Sequence, residues 1–143
     1  MFGTATPHAG TAGRMSHLYA NVQVQGAAAA DHSGHELVAL LFDGLLGAIA
    51  RARGAVQQGD IENKGKAIGH AMRIIGEGLR AGLNQREGGQ LAKDLNDLYG
   101  YVELRLTQAN LRNDDAALQE CATLLKTLQQ AWSEIAPQVR RAA

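Results

Sequence analysis

Residues 115–137 read DAALQECATLLKTLQQAWSEIAP, with Leu118, Cys121, Leu125, Leu128, Trp132 and Ile135 recurring at alternating steps of three and four. That spacing lays one apolar stripe along an α-helix, and Pro137, which lacks a backbone N–H, stops it. Working backwards, Asn113-Asp114-Asp115 supplies a turn and an N-cap. Before it, Leu91, Leu95, Leu98, Val102, Leu106 and Ala109 form a second stripe. Ile61, Ile68, Met72, Ile75, Leu79 and Leu83 form a third, opened by Gly59-Asp60 and ended by a turn over Asn84–Gly89. Val38, Leu41, Leu45, Ile49, Ala52 and Val56 form the fourth. Helices of similar length joined by short turns favour antiparallel neighbours, so the fold expected is an all-α, up-down four-helix bundle over residues 34–137. Residues 138–143 are left as a C-terminal tail.

Residues 1–33 have a different composition. They are rich in Gly, Ala, Thr, Ser and His, contain the tract Gly26-Ala27-Ala28-Ala29-Ala30, and carry only Arg14 and Asp31 as charges. A mobile arm is expected, with a short docking segment around Leu18–Val24 that holds Leu18, Tyr19, Val22 and Val24.

At 143 residues the chain fits one domain with a sizeable core, and 45% apolar content argues against disorder throughout. Aromatics are only 4%, so aliphatic residues must fill the interior. Fourteen basic residues balance fourteen acidic ones, which leaves no cationic excess for nucleic acid or an anionic membrane. The longest apolar run, Leu37–Phe42, is far short of the roughly 20 residues that span a bilayer. No signal peptide is visible and a single Cys121 cannot pair internally, so the expected location is cytoplasmic.

Catalytic chemistry finds no support. The inward Glu-x-x-His pairs of di-iron bundles are missing. His32 and His35 lie at a helix entrance and His70 lacks an acidic partner at helical spacing, so capping or surface roles are expected, with no metal and no cofactor. Cys121 falls on a core stripe, where a thiol behaves as a small hydrophobe. No Gly-x-Ser-x-Gly or phosphate-cradling loop occurs.

Two features exceed what a plain bundle needs. Gly65, Gly69, Gly76, Gly78 and Gly82 crowd the second helix, each costing about 1 kcal/mol relative to Ala. The flank of Gly65, Gly69 and Gly76 implies a close approach by a neighbouring helix or a bound chain. Surplus apolar positions also lie off the core stripes: Leu37, Leu40, Gly44 and Gly47 on the first helix, and Leu104, Leu111 and Tyr101 on the third. They suit grooves for a partner's helices, or else cover by the N-terminal arm on one side and a homodimer contact on the other.

Several runs resemble the flagellin-specific export chaperones of the bacterial flagellum, the FliS family. Leu41-Phe42-Asp43-Gly44 is similar to the family's Leu-Tyr/Phe-Asp-Gly signature. Gly59-Asp60, Lys64-Gly65 and Ile74-Ile75 fit as well. LNQREGGQLAKDLNDLYGYVELRL, residues 83–106, resembles its Gly-Gly, Asn-Leu and Leu-Tyr-x-Tyr motif. Tyr19-Ala20-Asn21-Val22, Ala109–Asp114 and Ala131-Trp132 match too, in register from about residue 17 to 136. Gly34 stands where the family usually has Pro, Asp94 replaces its usual Asn, and the first dozen or so residues match nothing. The resemblance implies a non-enzymatic chaperone that binds the disordered C-terminal segment of flagellin. Such a protein prevents premature polymerisation and passes its cargo to the flagellar type III export apparatus. Contact residues expected on this reading are Tyr19, Val22, Leu37, Leu40, Gly44, Tyr101, Leu104 and Leu111. A generic helical adaptor or oligomerisation module is the alternative.

Overall fold

A computed structural model describes Tyr19 and residues 34–135. Within that range the chain forms α1 (Gly34–Gln58), α2 (Ile61–Arg73) running on into a π-helical segment (Ile74–Arg80), α3 (Gln85–Arg112) and α4 (Asp115–Glu134). Side chains that stand far apart in sequence fix the directions. Arg51 meets His70, Lys64 meets Asn110, Arg105 meets Glu120, and Arg53 meets Asp115 while His35 meets Trp132. Arg51 and His70 stand on either side of the turn at Gly59-Asp60, and in each of the other pairs a residue near the start of one helix faces one near the end of another, so the all-α bundle runs up-down-up-down. α1 packs on α2 and α4, α3 packs on α4 and on α2 with its π segment, and α1 and α3 stand diagonally opposed.

The helix starts are set by side-chain caps. Asp60, Asn84 and Asp114 each accept the backbone N–H three residues on, from Asn63, Glu87 and Ala117. Asn113 ends α3 in the left-handed region at φ 51°. Lys64, almost wholly buried, reaches from the first turn of α2 to the far end of α3. Its ammonium donates to the Asn110 carbonyl at 2.7 Å and to Asn113 Oδ1. A cation on the last carbonyls of a helix meets its negative pole and satisfies groups with no intrahelical partner. Gly89, inside α3 at φ 57°, ψ −135°, kinks the chain after the first capped turn, a conformation that penalises any Cβ.

The core contains Val38, Phe42, Leu45, Ile49, Ile68, Ile75, Leu79, Tyr99, Val102, Leu106, Leu118, Cys121, Leu125 and Trp132. The α4 stripe is as expected, except that Leu128 is only half-buried. On α1 Val38, Leu45, Ile49 and Ala52 are buried as expected, whereas Leu41 and Val56 are half-buried and their neighbours Phe42 and Ala55 are interior. Ile61, expected in the core, is 59% exposed, because it sits in the first turn of α2 beyond the reach of its neighbours. The second helix does not keep one period to its end. A bond from the Ala81 N–H to the Gly76 carbonyl, five residues back, marks the π segment.

The expected close-approach flank holds at Gly76, where a Cβ would stand 3.4 Å from Glu103 of α3, but not along its length. A Cβ on Gly65 would meet nothing within 4 Å, whereas one on Gly78 would stand 3.1 Å from Leu41 and one on Gly44 3.4 Å from Ile74. Small residues of each helix thus receive large residues of the other, and the tight seam is α1 against the π segment.

Leu125→Ala is expected to lower stability by about 2–5 kcal/mol, as for a fully buried leucine, and half-buried Leu128→Ala by distinctly less. Chemical denaturation of both variants checks the ranking. Lys64→Met, which keeps the bulk and strands the α3 carbonyl end, is expected to cost about 1–3 kcal/mol in the same assay.

Candidate functional site: an aromatic pocket and two exposed apolar faces

Trp132 near the end of α4 organises one end of the bundle. Its indole N–H donates to the His35 carbonyl at 2.9 Å, and His35 Nε2 pairs with the Trp132 carbonyl at 2.8 Å. A carbonyl can only accept, so His35 carries its proton on Nε2. The two rings also stack, with centroids 4.5 Å apart at 8°. This reciprocal clasp ties the entrance of α1 to the exit of α4, and nothing in the spacing of His35 announces it.

On the inner side of Trp132 a small pocket is formed by Phe42, Leu95, Tyr99, Leu128 and Trp132, and Tyr19 sits in it. Tyr19 is 3% exposed, stands edge-on to the Trp132 ring at 5.5 Å, and shares a 2.7 Å hydroxyl–hydroxyl bond with Tyr99. An N-terminal residue therefore completes the core that α1, α3 and α4 leave open. Tyr99 escaped the sequence reading because Leu98 beside it better fitted the stripe. The signal available was its hydroxyl, which a buried site must satisfy. Burial drives the Tyr19 phenol far above its ordinary range, and the Tyr99 phenol is pushed up to about 12, again chiefly by burial. On the outer side of Trp132 lies an open cleft of about 630 Å³ between α1 and α4, lined by Ala39, Asp43, Lys126, Gln129 and their neighbours.

The remaining expected contact residues are divided. Leu40 on α1 and Leu104 on α3 are 53% and 54% exposed, and Leu111 is 78% exposed. Tyr101, Leu104 and Leu111 follow one another at helical spacing along the outer face of α3. The Tyr101 hydroxyl donates to Glu120, which also accepts from Arg105. Both donors hold the Glu120 carboxyl below the usual range. Leu37 is half-buried, and Gly44 faces Ile74 inside the α1–π seam, so it serves helix packing. Val22 lies outside the described residues. Because α1 and α3 are diagonal, the exposed leucines occupy two sides of the bundle.

The remaining chemistry is sparse. Burial pushes the Cys121 thiol up to about 11, which keeps it from acting as a thiolate near neutrality. Among the described residues no group of three or more His, Cys, Asp or Glu is placed to hold a metal, and no helix is long and apolar enough to cross a membrane.

Residues 15–139 match the family model described as "Flagellar protein FliS". Among curated relatives, the flagellar secretion chaperone FliS of Salmonella typhimurium is 46% identical over 119 residues, covering 83% of this chain and 87% of that protein. FliSB of Pseudomonas aeruginosa is 41% identical, covering 82% and 91%. The FliS of Escherichia coli is 37% identical, covering 86% and 90%.

The phenols give a signed pH dependence. Their folded values lie above the ordinary 10.0, so the docked state holds its full stabilisation below pH 10 and loses it as pH rises through about 12 for Tyr99. Trp132 is the only tryptophan, so its fluorescence reports the pocket. Its emission is expected to change above pH 10 in the intact chain. In Tyr19→Ala the change is already present at neutral pH.

Proposed function

Because this chain belongs to the FliS family of flagellar export chaperones, we propose that it binds the C-terminal segment of flagellin in the cytoplasm, prevents its premature polymerisation and delivers it to the flagellar export apparatus. The observation that carries the reading is the pair of exposed apolar faces, Leu40 on α1 and Tyr101, Leu104 and Leu111 on α3, on diagonally opposed helices. An amphipathic segment that wraps the bundle can use both, folding as it binds and covering the surface that would otherwise seed assembly. Binding of this kind needs only differential burial, so no catalytic group is called on. The family is one of chaperones, not of enzymes.

Tyr19 acts here as a lid. In the free chain it fills the pocket beside Trp132, and withdrawing it would expose Phe42, Leu95, Tyr99 and Leu128 to an apolar side chain of the cargo. Val22, three residues on, extends the same segment. A lid competes with the ligand, so apparent affinity falls by the fraction of time it is closed.

Titration calorimetry against flagellin tests the cargo. Binding is expected to vanish when flagellin's last few dozen residues are removed; retention would point to a generic helical adaptor. Leu104→Asp and Leu111→Asp are expected to weaken binding by roughly tenfold or more each, with little change in the unfolding midpoint, since each removes an exposed leucine from a contact. A collapsed midpoint with unchanged affinity per folded molecule would put the contact elsewhere. Tyr19→Ala is expected to tighten flagellin binding and reduce the solubility of the free protein. If it weakens binding, Tyr19 is itself a cargo contact.

A further inference from the structure

A second cleft, of about 410 Å³, opens between α1 and α2, away from the aromatic pocket and the α3 face. Arg51, Lys66, His70 and Arg73 line it, with Asn63 and Ala67. Arg51 donates through Nη2 to His70 Nδ1 at 3.1 Å. A guanidinium cannot accept, so Nδ1 bears the lone pair and the imidazole proton lies on Nε2. Each arginine lies back over a glycine four residues earlier on its own helix. A Cβ on Gly47 would stand 3.6 Å from Arg51 Nη1, and one on Gly69 4.0 Å from Arg73 Nη1. Gly69, part of the flank expected to receive a neighbouring chain, instead gives a guanidinium room to lie flat.

The cleft's positive charge is poorly answered from within. Arg53, Arg80 and Arg105 each bind a carboxylate, on Asp115, Glu103 and Glu120. Arg51 has only the uncharged nitrogen of His70, and Arg73 makes no hydrogen bond or ion pair among the described residues. The nearby acids are engaged: Asp60 accepts from the Asn63 backbone and side chain, and Glu62 holds Lys66 at 3.2 Å across one exposed turn. Two guanidiniums on facing helices, with a lysine two turns before Arg73, are thus set around a hollow in a chain of zero net charge.

We propose that this cleft recognises an acidic peptide segment of a partner protein, its carboxylates bound by Arg51 and Arg73 with Lys66 alongside. Guanidinium forks match carboxylates in two-point contact, and their placement on two helices suits successive carboxylates better than one small oxyanion. The cations sit along helix surfaces and not at a helix N-terminus, so the backbone N–H cradle that phosphate sites use is missing. A bilayer is disfavoured because no large apolar side chain lines the cleft to insert between lipids.

The test is a titration of the full chain at low ionic strength with hexaglutamate and, in parallel, with inorganic phosphate, read by NMR at the arginine Nε–H and histidine ring signals. Hexaglutamate is expected to give saturable shifts at Arg51, His70 and Arg73 that weaken with added salt. The double variant Arg51→Gln/Arg73→Gln is expected to bind about tenfold or more weaker, while Arg86→Gln/Lys93→Gln, on exposed positions of α3, binds as wild type. Should the double variant unfold early, Arg73→Gln alone carries the comparison, since that side chain makes no hydrogen bond or ion pair among the described residues. Absence of saturable shifts overturns the proposal. So does equal loss in the α3 variant, or phosphate binding as tight as the peptide.

Discussion

Everything at the Trp132 end of this bundle depends on α4 closing against α1, the two helices furthest apart along the described chain. The contact is secured at both ends and between. The Arg53 guanidinium forks onto Asp115 at 2.9 and 3.1 Å, Gln129 donates to Asp43 at 2.7 Å, and His35 and Trp132 clasp each other's carbonyls. Partly exposed ion pairs contribute little each, so their value here is register more than strength. Buried Val38, Phe42, Leu45, Leu118, Cys121 and Leu125 supply the driving force. The polar contacts fix which turn of α4 faces which turn of α1. Trp132 then stands where it can wall the Tyr19 pocket on one side and the open cleft on the other.

The α1–α2 seam solves a different problem. Its helices are brought together by mutual recesses, with Leu41 over Gly78 and Ile74 over Gly44. Glycines inside helices destabilise them, yet here they convert lost helix propensity into close packing. The π segment belongs to the same arrangement. Widening the turn between Ile74 and Arg80 shifts the phase of the residues that follow, and Ile75 and Leu79 remain interior. Arg80 leaves the segment toward α3, where it meets Asn96 and Glu103 and lies over Gly100.

How much of this was legible follows from what periodicity encodes. The number of helices, their caps at Asp60 and Asp114, and the α4 stripe were readable, because caps and stripes are local. On α1 the stripe is legible at Val38, Leu45, Ile49 and Ala52 but not between Leu41 and Phe42, since both fit it within its width and only the neighbours decide between them. A constant 3.6-residue period cannot reveal a π turn. The glycine flank is legible only at Gly76, which Glu103 of α3 approaches, and not at Gly65: sequence reports that small residues are present, not which ones a neighbour approaches. Leu40, Leu104 and Leu111 were legible as surplus because they lie off every stripe. Tyr99, the His35–Trp132 clasp and the paired arginines of the α1–α2 cleft were not, since each is defined by a partner on another helix.

The position of Tyr19 constrains what any cargo must offer. Tyr19 is joined to α1 through residues 20–33, so return of the proposed lid to the pocket would be an intramolecular event, favoured by an effective concentration that a ligand arriving from solution lacks. One apolar side chain arriving from solution competes poorly against that, because it must offset the lost Tyr19–Tyr99 hydroxyl bond as well as the tyrosine's burial. A long amphipathic segment does not face the same handicap. It could first engage the α1 or α3 face, exposed among the described residues, and from there its later residues would also reach the pocket intramolecularly. On the proposed reading, ordered engagement of this sort would select extended ligands over short apolar ones, using one tyrosine and two leucine-bearing helix faces.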